Sequence, residues 1–224
     1  MDFETNKKSE FYLAGYIVGG EFKQTILTSR LLGLALELEM KLIRPKDFAK
    51  DFLQDVRANQ GTVVAYSTAE QNTLMSLLPD NLDLLDGVQY LNLAKAARLW
   101  LKKHKQKEFD VLPPLVKSAN EFFKKRHRKS LASICRLIGF DAPADYAIGK
   151  TTSRFNSVIN ALEKRSQNYQ SLTAVQKAKA TKAIKHNRYD VESMVELLSV
   201  IQRDDPKIIE RATVLLLRSD AKGN

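Results

Sequence analysis

The chain has 224 residues, 44% of them apolar, and its 36 Lys and Arg outnumber 26 Asp and Glu to give a net charge of +10. That length suits one large domain or two small ones with a real core, and the basic balance suits a polyanion, nucleic acid above all, with an acidic membrane surface as the competing partner. No run approaches the ~18 uninterrupted apolar residues of a membrane span, the N-terminus lacks a signal-peptide layout, and a single cysteine, Cys135, excludes an internal disulfide and leaves a reducing cytoplasm as the expected compartment.

The first element is "MDFET", read as an extended strand. "EFYLAGYIVGGEFKQTILTS" reads as a hairpin. Phe11 to Val18 is β-branched and aromatic, Gly19-Gly20 is a turn dipeptide, and Phe22 to Thr28 alternates. "RPKDFAKDFLQDVRAN" has helical spacing, with Phe48, Phe52 and Val56 on one face, Pro45 near its start and Gly61 as its stop. "TVVAYS" predicts a short buried strand. "TAEQNTLMSLL" predicts a helix capped by Thr68. "GVQYLNL" predicts a fifth strand leading into the helix "AKAARLWLKKH".

The remainder reads as helical. "LPPLVKSANEFFKKRHRK" ends in a basic run, and "SLASICRLIGF" is amphipathic and stops at Gly139. "TTSRFNSVINALEKRSQ" is a good helix. "TAVQKAKATKAIKHNRYDVESMVELLSVIQ" is a long one with a candidate break near His186. "DPKIIERATVLLLR" is a last helix announced by Asp205 and Pro206. The order predicts an α/β domain over 1–203, with a mixed five-stranded sheet flanked by helices and a helix-rich C-terminal half. A C-terminal helix and tail would occupy 204–224.

Four acids and one histidine draw attention. Asp2 and Glu4 share one face of a strand, and like charges that close repel unless a cation sits between them. Glu70 lies in the first turn of a helix, where the dipole welcomes negative charge. His186 and Asp190 stand one turn apart on one helix face. Val191, Val195 and Leu198 are expected to form a buried stripe beside them. Each acid also has a plain structural reading: a solvated chain end for Asp2 and Glu4, an ordinary helix start for Glu70, an ion pair with Arg188 for Asp190. The basic runs "KKHKQK" (102–107) and "KKRHRK" (124–129) suit phosphate tracks or solvated helix faces. Trp100, Phe122 and Phe123 read as core rather than as base-stacking residues.

With these residues the chain resembles the DEDD superfamily of 3′–5′ exonucleases, which have the ribonuclease-H-like fold, and within it a bacterial branch of predicted nucleases. The likeness covers roughly residues 1–203. Asp2 and Glu4 match its D-x-E strand. Tyr66 and Glu70 match a second motif of tyrosine followed four residues on by glutamate. "HNRYD" is similar to its tyrosine, three residues, aspartate motif, with His186 in the tyrosine's place and Asp190 as the acid. "KSLASICRLIGF" is similar to a helix that such proteins carry between their second and third motifs. Family members have a longer first strand, and many have aspartate where Glu70 stands.

The resemblance implies hydrolysis of phosphodiester bonds in single-stranded DNA or RNA with two ions, Mg2+ or Mn2+, ~3.5–4 Å apart. It implies hard, oxygen-only ligands. Asp2 would bridge the ions, Glu4 and Asp190 would complete one site, and Glu70 would support the other through water. His186 would take a proton from the attacking water, with Tyr189 as the weaker candidate. Lys124, Lys125, Arg126, Arg128 and Lys129 would hold the strand. No membrane partner is implied. The alternatives are a degenerate nuclease-fold protein that binds strands without cutting, and a helical interaction protein whose acids are incidental.

Overall fold

The computed structural model describes residues 1–6, 10–115, 128–143 and 150–216. Seven strands are present among them: β1 (Asp2–Thr5), β2 (Phe11–Val18), β3 (Glu21–Ile26), β4 (Lys41–Leu42), β5 (Thr62–Ala65), β6 (Gln89–Asn92) and β7 (Thr213–Leu215). The α-helices are α1 (Leu32–Glu37), α2 (Pro45–Ala58), α3 (Thr68–Leu77), α4 (Leu93–Trp100), α5 (Gln106–Val111), α6 (Leu131–Cys135), α7 (Thr151–Glu163), α8 (Ala174–Asp204) and α9 (Pro206–Ala212). The chain is therefore α/β. It divides into two compact units, Met1–Pro45 with Pro114–Ser193, and Lys46–Pro113 with Met194–Asn224. Among the described residues, no helix is long and apolar enough to cross a membrane.

In the first unit the sheet order is β1-β2-β3-β4. β1, β2 and β3 are antiparallel, and β4 runs parallel to β3. The β2–β3 turn falls on Gly19 and Gly20, whose φ values of 58° and 83° are those that a tight hairpin turn requires. β2 is central, and its Tyr12, Leu13 and Ala14 are all buried. This accounts for its continuous apolar run, since a strand covered on both faces has no polar side to alternate. Tyr12, Leu13 and Ile26 pack with Leu31 and Leu34 and with Phe155, Val158, Ile159 and Leu162 of α7. The Tyr12 and Phe155 ring centroids are 5.3 Å apart. Ala180 and Ala183 let α8 approach the same core closely.

In the second unit β5 and β6 are parallel and β7 is antiparallel to β6. α3 makes the β5–β6 crossover. α9 packs on α4. Trp100 of α4 is buried, and its indole N–H donates to Asp204 Oδ2 at 2.9 Å. Trp100 is thus core, as its apolar spacing suggests.

The expected single sheet of five strands gives way, among the described residues, to sheets of four and three strands. Two strands were not foreseen. β4 is two exposed residues long and carries no alternation. β7 falls where a helix was expected to run on from Pro206. The β-branched pair Thr213-Val214 turns extended at the end of α9 and pairs with β6. The "RLLGLALE" helix (30–37) was not foreseen either. In contrast, α8 runs unbroken through His186. Nothing there stops it, since Asn187 and Arg188 are helix-compatible and neither Gly nor Pro intervenes. The expected helix over "LPPLVKSANEFFKKRHRK", with Phe122 and Phe123, lies largely outside the described residues.

Candidate metal centre

The first unit brings the two ends of the sequence motif set together. Asp2 and Glu4 come from β1, and His186 and Asp190 from α8. One ligand atom each from Glu4, His186 and Asp190 lies within 4.8 Å of the other two. His186 Nε2 is 3.2 Å from Asp190 Oδ2. Asp2 stands beside this trio, and its Oδ2 accepts a hydrogen bond from Asn187 Nδ2 at 2.7 Å.

The electrostatics are those of crowded, desolvated acids. Burial, followed by the charges of Asp2 and Asp190, pushes the Glu4 carboxyl well above the usual carboxylate range. Burial, followed by Asp2, does the same to Asp190. Burial, with the Arg154 guanidinium as the second cause, lowers the His186 imidazole to about 4. At neutral pH the imidazole is therefore neutral.

A divalent cation fits this donor set. Carboxylates that repel one another in a poorly solvated place are stabilised by a positive ion between them. The two oxygen donors and one nitrogen come from rigid elements, a paired strand and a long helix. Beside the carboxylate oxygens expected from sequence, the group also offers an imidazole nitrogen.

Tyr189 does not serve this group. Its hydroxyl donates to the Phe140 carbonyl at 3.1 Å, and its ring stacks on Phe140 with centroids 5.3 Å apart. Burial raises its phenol to about 12. The stripe expected beside Asp190 is also rearranged. Val191 is buried but Val195 is exposed, and Asn187, Ser193, Met194 and Leu197 are buried instead. A straight helix of 3.6 residues per turn drifts from a simple i, i+4 row over several turns.

Glu70 belongs to the second unit. It is the third residue of α3 and forms a capping box. Ser67 Oγ accepts from the Ala69 N–H at 3.1 Å, and Glu70 Oε2 accepts from Ser67 N at 3.3 Å and from Ser67 Oγ at 3.0 Å. The cap is therefore Ser67, not Thr68. The sequence S-T-A-E carries that capping-box signature directly. Burial raises the Glu70 carboxyl, against hydrogen bonds that lower it.

Lys124, Lys125 and Arg126 lie outside the described residues. Arg128 and Lys129 sit in the turn before α6, half-buried and exposed respectively. In the other basic run, Lys103 pairs with Asp205 and Lys105 with Glu108. Those two lysines are engaged within the chain.

The sequence reading gives no role to Asn187, Gly15 or Gln24, although Asn187 stands at the asparagine of a "Y-N-x-x-D" helix motif that the "KHNRYD" segment resembles. Gly15 is the readable signal, because a glycine inside a strand marks a bulge or a close approach. Comparison of the chain with family models, with curated proteins and with solved structures yields no match.

Proposed function

We propose that this protein is a metal-dependent 3′–5′ exonuclease acting on single-stranded nucleic acid. The observation that carries the reading is the meeting of Glu4, His186 and Asp190 beside Asp2, from opposite ends of the chain. Buried acids drawn together at a cost to themselves are the mark of a functional site.

When bound, divalent ions supply charge relief on the phosphate and a more acidic water. The chain's own groups do the rest. Asp2, Glu4 and Asp190 provide the negative charge that holds cations. His186 presents a neutral nitrogen at Nε2, as a ligand or as a proton acceptor. With an imidazole among the donors, the site favours Mn2+ over Mg2+, which prefers oxygen alone. Glu70 is the acid at the second motif of the resembled family; in this structure it caps α3 through Oε2. The basic residues 124–129 are the proposed strand contacts. A reducing cytoplasm suits a chain whose single cysteine, Cys135, is buried.

The test is incubation with 5′-labelled single strands of DNA and RNA, with Mn2+, Mg2+ or chelator. The reading expects a ladder of products shortened from the 3′ end with metal and none with chelator. Strand binding with no cleavage under any metal replaces it with the degenerate nuclease fold.

A further inference from the structure

We propose that Asn187 is a positioning residue for the Asp2 carboxylate, admitted to the sheet by Gly15 and held in one amide orientation by Gln24. This rests on the metal centre argued above.

Asp2, Gly15 and Gln24 form one row across three strands. Asp2 pairs with Gly15, and Gly15 pairs with Gln24. Residues directly opposite each other share a face of the sheet. The middle position has no side chain, and Asn187 of α8 fills that space. A Cβ built on Gly15 would lie 2.1 Å from Asn187 Oδ1. Any other residue at 15 would push Asn187 away.

Asn187 is fully buried. Its Nδ2 donates to Asp2 Oδ2 at 2.7 Å and approaches the Asp2 carbonyl at 3.4 Å. Its Oδ1 accepts from Gln24 Nε2 at 2.9 Å. The amide orientations are fixed by chemistry. Gln24 Nε2 also donates to the Ile184 carbonyl at 3.0 Å, and a carbonyl can only accept. Gln24 must therefore turn its nitrogen toward Ile184 and Asn187. Asn187 must then turn its oxygen toward Gln24 and its nitrogen toward Asp2. One backbone carbonyl of α8 thus sets two side-chain amides and delivers an N–H donor to an acid of the site. The donor comes from the residue next to His186, on the helix that also carries Asp190. The same contacts dock this helix on the strands, so Asp2, His186 and Asp190 are held in one frame.

The rival role is docking alone, in which Asn187 stabilises the fold without setting the carboxylate. Titration of the full-length protein with Mn2+, followed by the spin-resonance signal of the free ion, separates them. Melting in chelator serves as a check of folding. The variants are Asn187→Ala, Gln24→Met and Gly15→Ala. Loss of an outer hydrogen-bond partner of a metal ligand costs ~10–100-fold in metal affinity. Folded Asn187→Ala and Gly15→Ala should bind Mn2+ weaker by that factor. Gln24→Met should weaken it less, in the same direction, because Asn187 keeps its place but loses its lock. If Asn187→Ala or Gly15→Ala does not fold, Gln24→Met decides. Variants that melt lower yet bind Mn2+ within twofold of the parent overturn the positioning role. A parent that binds no Mn2+ overturns the metal centre itself, and this inference with it.

Discussion

His186 Nε2 and Asp190 Oδ2 face each other at 3.2 Å, one turn apart on the long helix, with the Glu4 carboxylate completing the group. Apolar packing seats the helix against β2 and β3, and the Asn187–Asp2 hydrogen bond ties it to β1. The acids are therefore held at close quarters against their own repulsion.

The first expected outcome concerns stability. Asp190→Asn or Glu4→Gln removes a crowded, half-buried acid. Each should raise the melting temperature in chelator at neutral pH, while abolishing metal-dependent cleavage. Such a gain is the usual counterpart of a strained functional site. Melting curves of parent and variants in chelator decide it. A variant that melts lower than the parent shows that these acids stabilise the fold.

The second concerns pH. Raised carboxyls at Glu4 and Asp190 keep protons in the folded chain after the unfolded chain has lost them. Their stabilising effect is complete below the ordinary carboxylate range, ~4, and is lost as pH rises through the raised values. His186 acts with the opposite sign. Its folded value is lowered to about 4, so its contribution is present above the ordinary ~6.5 and is lost as pH falls toward 4. His186→Gln should therefore lose the rise in stability between pH 4 and 6.5 that the metal-free parent gains from this group. Urea unfolding across that range measures it. A His186→Gln variant that keeps the parent's rise contradicts the burial argument.

Metal choice is the third. Replacing the imidazole with an oxygen donor, as in His186→Gln, should lower Mn2+ affinity more than Mg2+ affinity. It should also lower turnover by ~10²–10⁴-fold if the imidazole takes the proton in the reaction. Competition between the two ions reads the first effect, and single-turnover cleavage reads the second. An equal loss for both ions places His186 outside the ligand set.

The basic cluster supplies the fourth. Replacing Lys124, Lys125, Arg126 and Arg128 with alanine should weaken single-strand binding and flatten its dependence on salt, because each phosphate contact releases counterions. Affinity measured over a range of ionic strengths tests this. An unchanged affinity and slope make the run a solvated surface.

The sequence showed local chemistry far better than tertiary choices. Asp2 with Glu4 and His186 with Asp190 were legible because strand and helix periods place each pair on one face. Gly19-Gly20 named the hairpin turn. Ser67 was legible in principle, since S-x-x-E spells a capping box, but Thr68 also fits a cap. Other features had no local signal. β4 is too short to carry a pattern, and β7 exists through a partner far along the chain, carved from a segment with helical spacing. Asn187 sat at the asparagine of a "Y-N-x-x-D"-like motif, yet nothing local said that it would be buried. Its burial depends on a glycine in a distant strand, a pairing that no local pattern encodes.

The most direct measurement is pulsed spin resonance of Mn2+ bound to the full-length protein. If Glu4, His186 and Asp190 hold one cation, the spectrum should carry a nitrogen coupling from the imidazole. That coupling should vanish in His186→Gln, and binding should fail in Asp190→Asn. Tightly bound Mn2+ with no nitrogen coupling, or Mn2+ bound equally well by Asp190→Asn, would contradict the account.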